Sequence, residues 1–501
     1  MINAPGYGMA SPHIEIALGR LLGPEIEAPA GIADLVVTGV TADSRKVAPG
    51  LLFAAMPGTK VDGAAFALEA AAKGAVAVLA AKDAAIPPLT VPLLRAADPR
   101  RALALVAARF YGRQPEIALA VTGTSGKTSV AEFTRQILAA CGRQAASLGT
   151  LGVVKPSGAV YGSLTTPDPI TLAATLAGLA GERVTHIAFE ASSHGLDQRR
   201  LDGVRLTAAA FTNLGRDHMD YHPTVEHYLA AKLRLFDTLL EPGKPVVVNT
   251  DGAHAADVAA TARQCGHRLL TVGAAGDTLR LAECCLDGFG QRLRILHDGR
   301  AYAVRLPLIG TYQAENALTA AGLAIAAGEA PDAVIVALER LVGVPGRLDI
   351  VGEARGGLAL VDYAHKPEAL SAALDACRPF AAGRLICVMG CGGDRDRGKR
   401  PIMGAIAADK ADLVIVTDDN PRTEAPATIR AEILAGISIG RDRVREIGDR
   451  AEAIRTAVQD MGAGDVVLVA GKGHETGQIV GATVIPFSDH DEIRKALGEV
   501  A

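Results

Sequence analysis

The stretch Val121-Thr122-Gly123-Thr124-Ser125-Gly126-Lys127-Thr128-Ser129 carries the most specific chemistry in this chain of 501 residues. An apolar run ends, glycines follow, and Lys-Thr opens a helical pattern. Glycines let backbone N–H groups approach phosphate oxygens, and a helix N-terminus adds its positive dipole. Lys127 is then placed to reach β- and γ-phosphates, and the Thr128 hydroxyl to ligate Mg²⁺. Val121 stands where GxxxxGK[ST] has its first glycine, so the pattern is a shortened one. A plain glycine turn between strand and helix would not require Lys-Thr after the last glycine, and nucleotide binding is therefore expected.

Two more polar clusters end apolar runs further on. In Glu190-Ala191-Ser192-Ser193-His194-Gly195 the carboxylate follows THIAF, a poor place for a solvated face and a good one for Mg²⁺ near a γ-phosphate. By itself Glu190 could equally pair with a buried Lys or Arg. The cluster Asn213-Leu214-Gly215-Arg216-Asp217-His218-Met219-Asp220 holds a histidine that alone reads as a structural one. Their succession after the phosphate loop points to one site. Lys232, in Glu226-His227-Tyr228-Leu229-Ala230-Ala231-Lys232-Leu233, reads locally as an exposed lysine on a helix.

The elements that must position these groups follow from the runs themselves. IALAVTGTSG, THIAFEASSHG, AAAFTNLGRDH, KPVVVNTDG, LALVDYAH, RLICVMGCGGD, ADLVIVTDDNPR and DVVLVAGKGHE are continuous enough to be strands buried on both faces. Ala- and Leu-rich helical patterns over 128–141, 171–180, 225–240, 312–327, 367–378 and 448–461 alternate with them, the mark of a parallel α/β sheet. Open sheets of this kind bind ligands where strands end, and the motifs fall there. Three blocks result: residues 1–112, containing DSRKVAPG and ending at RRALALVAARFYG; 113–347, with the phosphate loop; and 348–501, with its own strands and helices.

Composition narrows the function. A formal net charge of −4 supplies no basic excess for binding along nucleic acid. The absence of tryptophan and an aromatic content of 4% argue against base-stacking platforms. Seven cysteines, at 141, 265, 284, 285, 377, 387 and 391, form no CxxC pair, so neither a disulfide framework nor a zinc knuckle is indicated and a reducing cytosol fits. Met1 to Gly8 lack a basic region, and Glu15 and Arg20 interrupt the first apolar stretch, so no signal sequence is expected. No uncharged apolar run reaches the roughly 18 residues of a membrane span.

GTSGKTS, TTPDP, EASSHGL, FTNLGRDHMDYH, GRLD, VDYAHKPEAL, GCGGDRDRGKRP, TDDNPR and AGKGHE occur in this order, and with DSRKVAPG the series resembles the Mur ligase family of peptidoglycan synthesis over nearly the whole chain. The resemblance implies an α/β, three-domain architecture: an N-terminal domain for a UDP-linked substrate, a central ATPase with a parallel sheet and a phosphate loop, and a C-terminal Rossmann-like domain for the incoming amino acid. Within the family the series is most similar to the members that add the third amino acid. The implied activity is ATP-dependent addition of meso-diaminopimelate to UDP-N-acetylmuramoyl-L-alanyl-D-glutamate through an acyl phosphate. Mg²⁺, in two ions, is the implied cofactor, and a cytoplasmic monomer the implied form.

Residue roles carried over from the family remain expectations. Gly123, Thr124, Ser125, Gly126, Lys127, Thr128 and Ser129 resemble the ATP loop, whose shortened form is the family's own; many members have Asn at Ser125. Thr128, Glu190 and His218 look metal-associated, and Lys232 resembles the lysine that relatives carry as a carbamate, an anion able to hold a second Mg²⁺. Asn316, Arg347 and Asp362 match nucleotide-contacting positions, although GRLD and VDY could as readily form a hinge. Ser44, Thr165, Thr166, Ser192, Gln198 and Arg200 match the UDP-muramoyl-dipeptide site. Thr165-Thr166-Pro167 also reads as a helix N-cap. Arg395, Asp419, Asn420, Pro421, Arg422, Gly471 and Glu475 match the amino-acid site. Meso-diaminopimelate differs from lysine by a second carboxylate, for which the forked Arg422 guanidinium is the natural partner; lysine-adding members lack an arginine there. DNPR read as a type I turn accounts for Asp-Asn-Pro and leaves the Arg unexplained. Lys366, where many members have Thr, and the acidic ending FSDHDE are small departures. Lysine addition, glutamate addition to a folate, and a non-catalytic P-loop scaffold stand as the alternatives.

Overall fold

The computed structural model describes residues 14–58, 62–160, 164–215, 217–218 and 221–500. The expectation about the first eight residues, and Arg216, Met219 and Asp220 of the third cluster, lie outside them. The chain divides into two units, Met1–Arg280 with Leu318–Val334, and Leu281–Ala317 with Ile335–Ala501. Residues 1–112 and most of 113–347 share the first.

The first unit opens with a parallel four-stranded sheet, β1 (Gly39–Thr41), β2 (Leu51–Ala55), β3 (Ala77–Ala81) and β4 (Leu93–Ala96), paired in that order. Alternation along β2 sends Leu52 and Ala54 into one apolar cluster and Phe53 and Ala55 into another, so both faces are buried. Helix α1 (Pro99–Tyr111) starts where Asp98 accepts from the Arg101 N–H at 3.0 Å and Pro99 removes a donor that would have no partner.

The larger sheet of this unit has a parallel core. Its strands are β5 (Ile117–Thr122), β6 (Ala145–Gly149), β7 (His186–Glu190), β8 (Ala208–Phe211), β9 (Pro245–Asn249) and β10 (Arg268–Gly273), in spatial order β6-β7-β5-β8-β9-β10. Helices α2 (Lys127–Ala140), α3 (Pro169–Gly181), α4 (Ser193–Asp197), α5 (Val225–Arg234) and α6 (Ala255–Gln264) lie between strands along the chain. Phe189, Phe211, Leu172, Leu176 and Phe236 pack in one cluster with exposures of 1% or less; each contributes about 2–3 kcal/mol by leaving water. Because β6 and β7 lie on one side of β5 and β8 on the other, the strand order changes side at β5, the kind of switch point beyond whose carboxyl end open sheets take their ligands.

The strands of the second unit fall in separate stretches of chain. Gly290–His297 and Arg300–Leu306 pair as an antiparallel hairpin. A six-stranded sheet is built from β11 (Asp349–Ala354), β12 (Gly357–Asp362), β13 (Leu385–Met389), β14 (Leu413–Val416), β15 (Val444–Glu446) and β16 (Val466–Ala470), in order β11-β12-β16-β13-β14-β15. Only β11 runs antiparallel. Helices α7 (Pro367–Cys377), α8 (Lys399–Lys410), α9 (Pro426–Ala435), α10 (Arg450–Asp460) and α11 (Asp489–Val500) complete it. Leu358 and Leu360 of β12 face one cluster while Ala359 and Val361 face another. A fully buried ion pair joins the start of α10 to the start of α11: Arg450 Nε and Nη2 each donate to the Asp489 carboxylate at 2.7 Å.

Candidate functional site

The loop after β5 folds back on itself through residues that the sequence places far apart. Gly123 has φ +151°, and a Cβ there would lie 1.9 Å from Thr212 Oγ1, so only glycine passes beneath the loop that follows β8. Asn213 supplies both partners of the turn: its carbonyl accepts from Thr124 N at 2.8 Å and its Oδ1 from Ser125 N at 3.0 Å. Gly126, at φ +86°, is the N-cap of α2, and Lys127, Thr128 and Ser129 form its first turn.

Two lysines converge on one carbonyl. Lys127 Nζ donates to Gly123 O at 2.9 Å and Thr124 O at 2.8 Å, and Lys232 Nζ donates to Gly123 O at 2.7 Å. Lys232 is 1% exposed, which corrects the local reading of a solvated lysine. The cause is helical spacing: one turn before it on α5, Tyr228 turns its ring beneath the ammonium, 4.4 Å away, and its hydroxyl meets Thr124 Oγ1 at 3.1 Å. Burial, and then the charge of Lys127, hold the Lys232 amine well below its usual range, with Asp217 opposing. Burial also pushes the Tyr228 phenol up to about 12.

Glu190, at 2% exposure, ends β7 directly opposite Val121 of β5. Its Oε1 accepts from Thr150 N at 2.7 Å, and a Cβ on Gly149 would lie 2.1 Å from that oxygen. Among the described residues no three His, Cys, Asp or Glu side chains gather into a cage for a metal. A hard cation that keeps phosphate oxygens needs only one or two carboxylates, so Glu190 with the Thr128 hydroxyl fits Mg²⁺. His218, at φ +55° with its side chain 40% exposed, packs edge-on to His194 with ring centroids 4.9 Å apart. His222, fully buried nearby, bonds through Nδ1 to His227 Nδ1 at 2.9 Å. Burial first, and then the neighbouring His194 and His227, lower its pKa to about 4.

Four of the six residues expected at the muramoyl-dipeptide site form one network with a fifth beside it. Thr166 Oγ1 donates to Glu190 O at 2.9 Å and accepts from Ser192 Oγ at 3.0 Å. Arg200 Nη1 donates to Thr166 O at 2.6 Å, and its Nη2 to Gln198 Oε1 at 2.7 Å. Thr165 Oγ1 lies 3.2 Å from Thr150 Oγ1. The N-cap expectation is corrected: Asp168, not Thr165 or Thr166, caps α3, its Oδ1 accepting from Ile170 N and Thr171 N at 3.0 Å. A carboxylate two residues before the first free N–H wins because it reaches both donors at once. Ser44 stands apart from this network among the described residues, on a short turn capped by Asp43, where its carbonyl accepts from Lys73 Nζ at 3.1 Å.

In the second unit, Asn316 Nδ2 donates to Gln313 Oε1 at 3.0 Å and Gln313 Nε2 to Arg347 O at 3.1 Å. The Arg347 guanidinium lies over the Tyr363 ring at 5.0 Å. Asp362 accepts from Leu348 N at 2.7 Å and Ala364 N at 2.8 Å. Burial raises its carboxyl to about 6 against the pull of Arg347 and these two N–H groups.

The segment after β14 meets the segment after β16. Lys472, fully buried, donates to Asn420 Oδ1 at 3.0 Å and Glu475 Oε2 at 3.3 Å, and Asn420 Nδ2 donates to the same Glu475 oxygen at 2.9 Å. Gly471, at φ +117°, leaves room for Asp419, whose Oδ2 would lie 2.7 Å from a Cβ. Arg422 is half-buried, not the tip of an exposed turn. It follows Pro421 at φ +53°, and its Nη1 donates to Gly393 O at 2.8 Å. Arg395 lies exposed on the same 391–398 loop. That loop is pinned by Arg400, fully buried, which donates to Glu424 Oε1 at 2.8 Å and Gly392 O at 3.1 Å.

Sequence reasoning missed Tyr228, Thr212, Arg400 and Lys472, and named Asn213 only as the head of a polar cluster. The i, i+4 spacing of Tyr228 and Lys232 was a usable signal; nothing local distinguishes Arg400 or Lys472 from solvated basic residues.

Three family models match: the Mur ligase family catalytic domain over residues 36–111, the Mur ligase middle domain over 121–324, and the Mur ligase glutamate ligase domain over 346–473. The chain is 56% identical to the UDP-N-acetylmuramoyl-L-alanyl-D-glutamate–2,6-diaminopimelate ligase of Agrobacterium fabrum over 470 residues, covering 94% of this chain and 95% of that protein. It is also 56% identical to the protein of the same name from Bradyrhizobium diazoefficiens, covering 96% and 99%. A solved structure of a ligase of that name aligns with 34% identity and a TM-score of 0.73, over 97% of this chain and 99% of that one. The MurF ligase of Thermotoga maritima in complex with ADP shares the fold at 18% identity, with a TM-score of 0.59 over 92% and 97%.

Proposed function

The chain belongs to the Mur ligase family, and from that membership we propose how its own residues carry the reaction. The protein is an ATP-dependent ligase that adds meso-2,6-diaminopimelate to UDP-N-acetylmuramoyl-L-alanyl-D-glutamate, a step of peptidoglycan precursor synthesis. The observation that carries the choice of amino acid is Arg422, whose guanidinium is anchored through one nitrogen to Gly393 O. Its remaining N–H groups suit the far carboxylate that distinguishes diaminopimelate from lysine.

We assign residues 1–112 to the UDP part of the substrate, 113–347 to ATP and 348–501 to the amino acid. A D-glutamyl carboxylate oxygen attacks the γ-phosphorus, the bond to the β,γ-bridging oxygen breaks, and ADP leaves. The amine of diaminopimelate then attacks the acyl carbon, inorganic phosphate leaves, and an amide with a released proton remains. Charge sits on oxygens throughout, so the work is positioning and electrostatics: backbone N–H groups of 123–129 and Lys127 on the phosphates, and Thr166, Ser192, Gln198 and Arg200 on the dipeptide. Ser44 would hold the UDP end, and Asn316, Arg347 and Asp362 the nucleotide. Asp419, Asn420, Gly471, Glu475 and Arg395 would shape the amino-acid site around Pro421-Arg422.

Mg²⁺, when bound, would neutralise the phosphate oxygens, with Thr128, Glu190 and His218 as its holders. Carbamylation of Lys232 would join its neutral amine to CO₂ with release of a proton, and the burial that lowers its basicity favours that form. Among the described residues no helix is long and apolar enough to cross a membrane; a cytoplasmic monomer suits the ATP and UDP-sugar substrates.

The test is phosphate release from ATP, Mg²⁺ and UDP-N-acetylmuramoyl-L-alanyl-D-glutamate with meso-diaminopimelate or L-lysine. Release with diaminopimelate and little with lysine is expected. Preference for lysine would overturn the role of Arg422, and silence with both would overturn the ligase reading.

A further inference from the structure

A hairpin with no part in the motifs, Gly477–Val480 paired with Thr483–Pro486, lies alongside Asp419–Arg422. Four hydrogen bonds join them. Arg422 N donates to Ile479 O at 3.0 Å and Gly481 N to Arg422 O at 2.7 Å, so the arginine is gripped through both sides of its backbone. Ile479 N donates to Asn420 Oδ1 at 2.9 Å, and Gln478 Nε2 to Asp419 O at 2.7 Å. The grip has something to resist, because Arg422 sits at φ +53°, a left-handed conformation that non-glycine residues adopt at a cost. Such a backbone persists where surrounding bonds over-determine it. Without them Arg422 would relax towards negative φ and swing its side chain away from Gly393.

We infer that this hairpin determines amino-acid selectivity, with Gln478 as a positioning residue: it fixes the left-handed Arg422 backbone and thereby aims the guanidinium. The inference rests on the reading of Arg422 as the partner of the substrate's far carboxylate. It extends that reading to an element that touches no substrate itself. Two substitutions probe it in the full-length protein. Gln478→Met keeps the side chain's length and removes the amide donor. Gly481→Val acts on the turn and, through it, on the bond from the residue 481 N–H to Arg422 O: Gly481 has φ +59° and a Cβ there meets nothing within 4 Å, so the added side chain strains backbone without a clash.

The measurements are KM for meso-diaminopimelate and for ATP, turnover with L-lysine, and hydrogen exchange at the Arg422 and Gly481 amides. For Gln478→Met, loss of one hydrogen bond is expected to raise KM for meso-diaminopimelate about fivefold, with KM for ATP unchanged and faster exchange at both amides. Gly481→Val should move the same quantities in the same direction. Arg422→Lys is the control for the underlying reading. If it leaves the preference for diaminopimelate intact, Arg422 is not the selector and both ideas fall. If it abolishes the preference while Gln478→Met and Gly481→Val leave KM unaltered, the hairpin proposal alone is overturned. A rise in KM without faster exchange at Arg422, or an equal rise for ATP, overturns it as well.

Discussion

A single carbonyl, Gly123 O, receives both Lys127 and Lys232, and two ammonium groups on one oxygen raise the cost of keeping both charged. Lys232 bears that cost because it is the more deeply buried. Its amine is therefore disposed to lose a proton and react with CO₂, and the product anion would sit well beside Lys127. Lys232→Met removes the amine on which a carbamate would form while keeping most of the volume. It should lower kcat by about 100-fold or more, the scale of a lost electrostatic contribution at a phosphoryl-transfer site. Stripping CO₂ and bicarbonate from the assay should depress the wild-type rate and leave the variant's residual rate unaltered. Equal rates of the wild type with and without bicarbonate would remove the carbamate from the account.

At the scale of elements, α5 matters because Tyr228 and Lys232 share a face one turn apart and bring a lysine, a phenol and the phosphate loop together. Tyr228→Phe keeps the ring under the ammonium and deletes the bond to Thr124 Oγ1. KM for ATP should rise about three- to tenfold, the worth of one hydrogen bond of about 1 kcal/mol, with a smaller change in kcat; an unchanged KM would mean that the bonds of Thr124 to Asn213 O and Gly215 N hold it without the phenol. The strands were legible because a strand buried on both faces leaves a continuous apolar run, and the phosphate loop because its glycines and Lys-Thr are contiguous. The burial of Lys232 was not, since it depends on where α5 packs rather than on its own pattern. The N-cap of α3 differs for a related reason: Thr166 is engaged by Glu190 O at the end of β7, leaving Asp168 to the helix. The hairpin gripping Arg422 left no signal, because its bonds to Arg422 are backbone to backbone.

As a whole, the molecule carries buried groups tuned in opposite directions, among them Asp362 in the second unit and His222 in the first. Burial raises Asp362 in the second unit from 3.8 to about 6, so the folded form binds more protons than the unfolded one across that window. Its contribution to stability is therefore lost as pH rises through about 4 to 6. His222 in the first unit is lowered from 6.5 to about 4, so its contribution is present above 6.5 and is lost as pH falls. Calorimetry of Asp362→Asn and His222→Phe against the wild type should show stability differences that change in opposite senses across this range, each by up to about 3 kcal/mol. A variant whose difference from the wild type stays constant across this range would show that its group keeps its unfolded pKa when folded. Arg422 keeps a left-handed backbone, with φ +53°. Asn and Gly occupy such a backbone more comfortably, by roughly 1 kcal/mol, so mutation judged by stability alone would erode the arginine. If Arg422 is the selector proposed above, Arg422→Gly should leave the fold at least as stable in thermal unfolding while losing the preference for diaminopimelate, so that recognition and backbone comfort pull this one position in opposite directions.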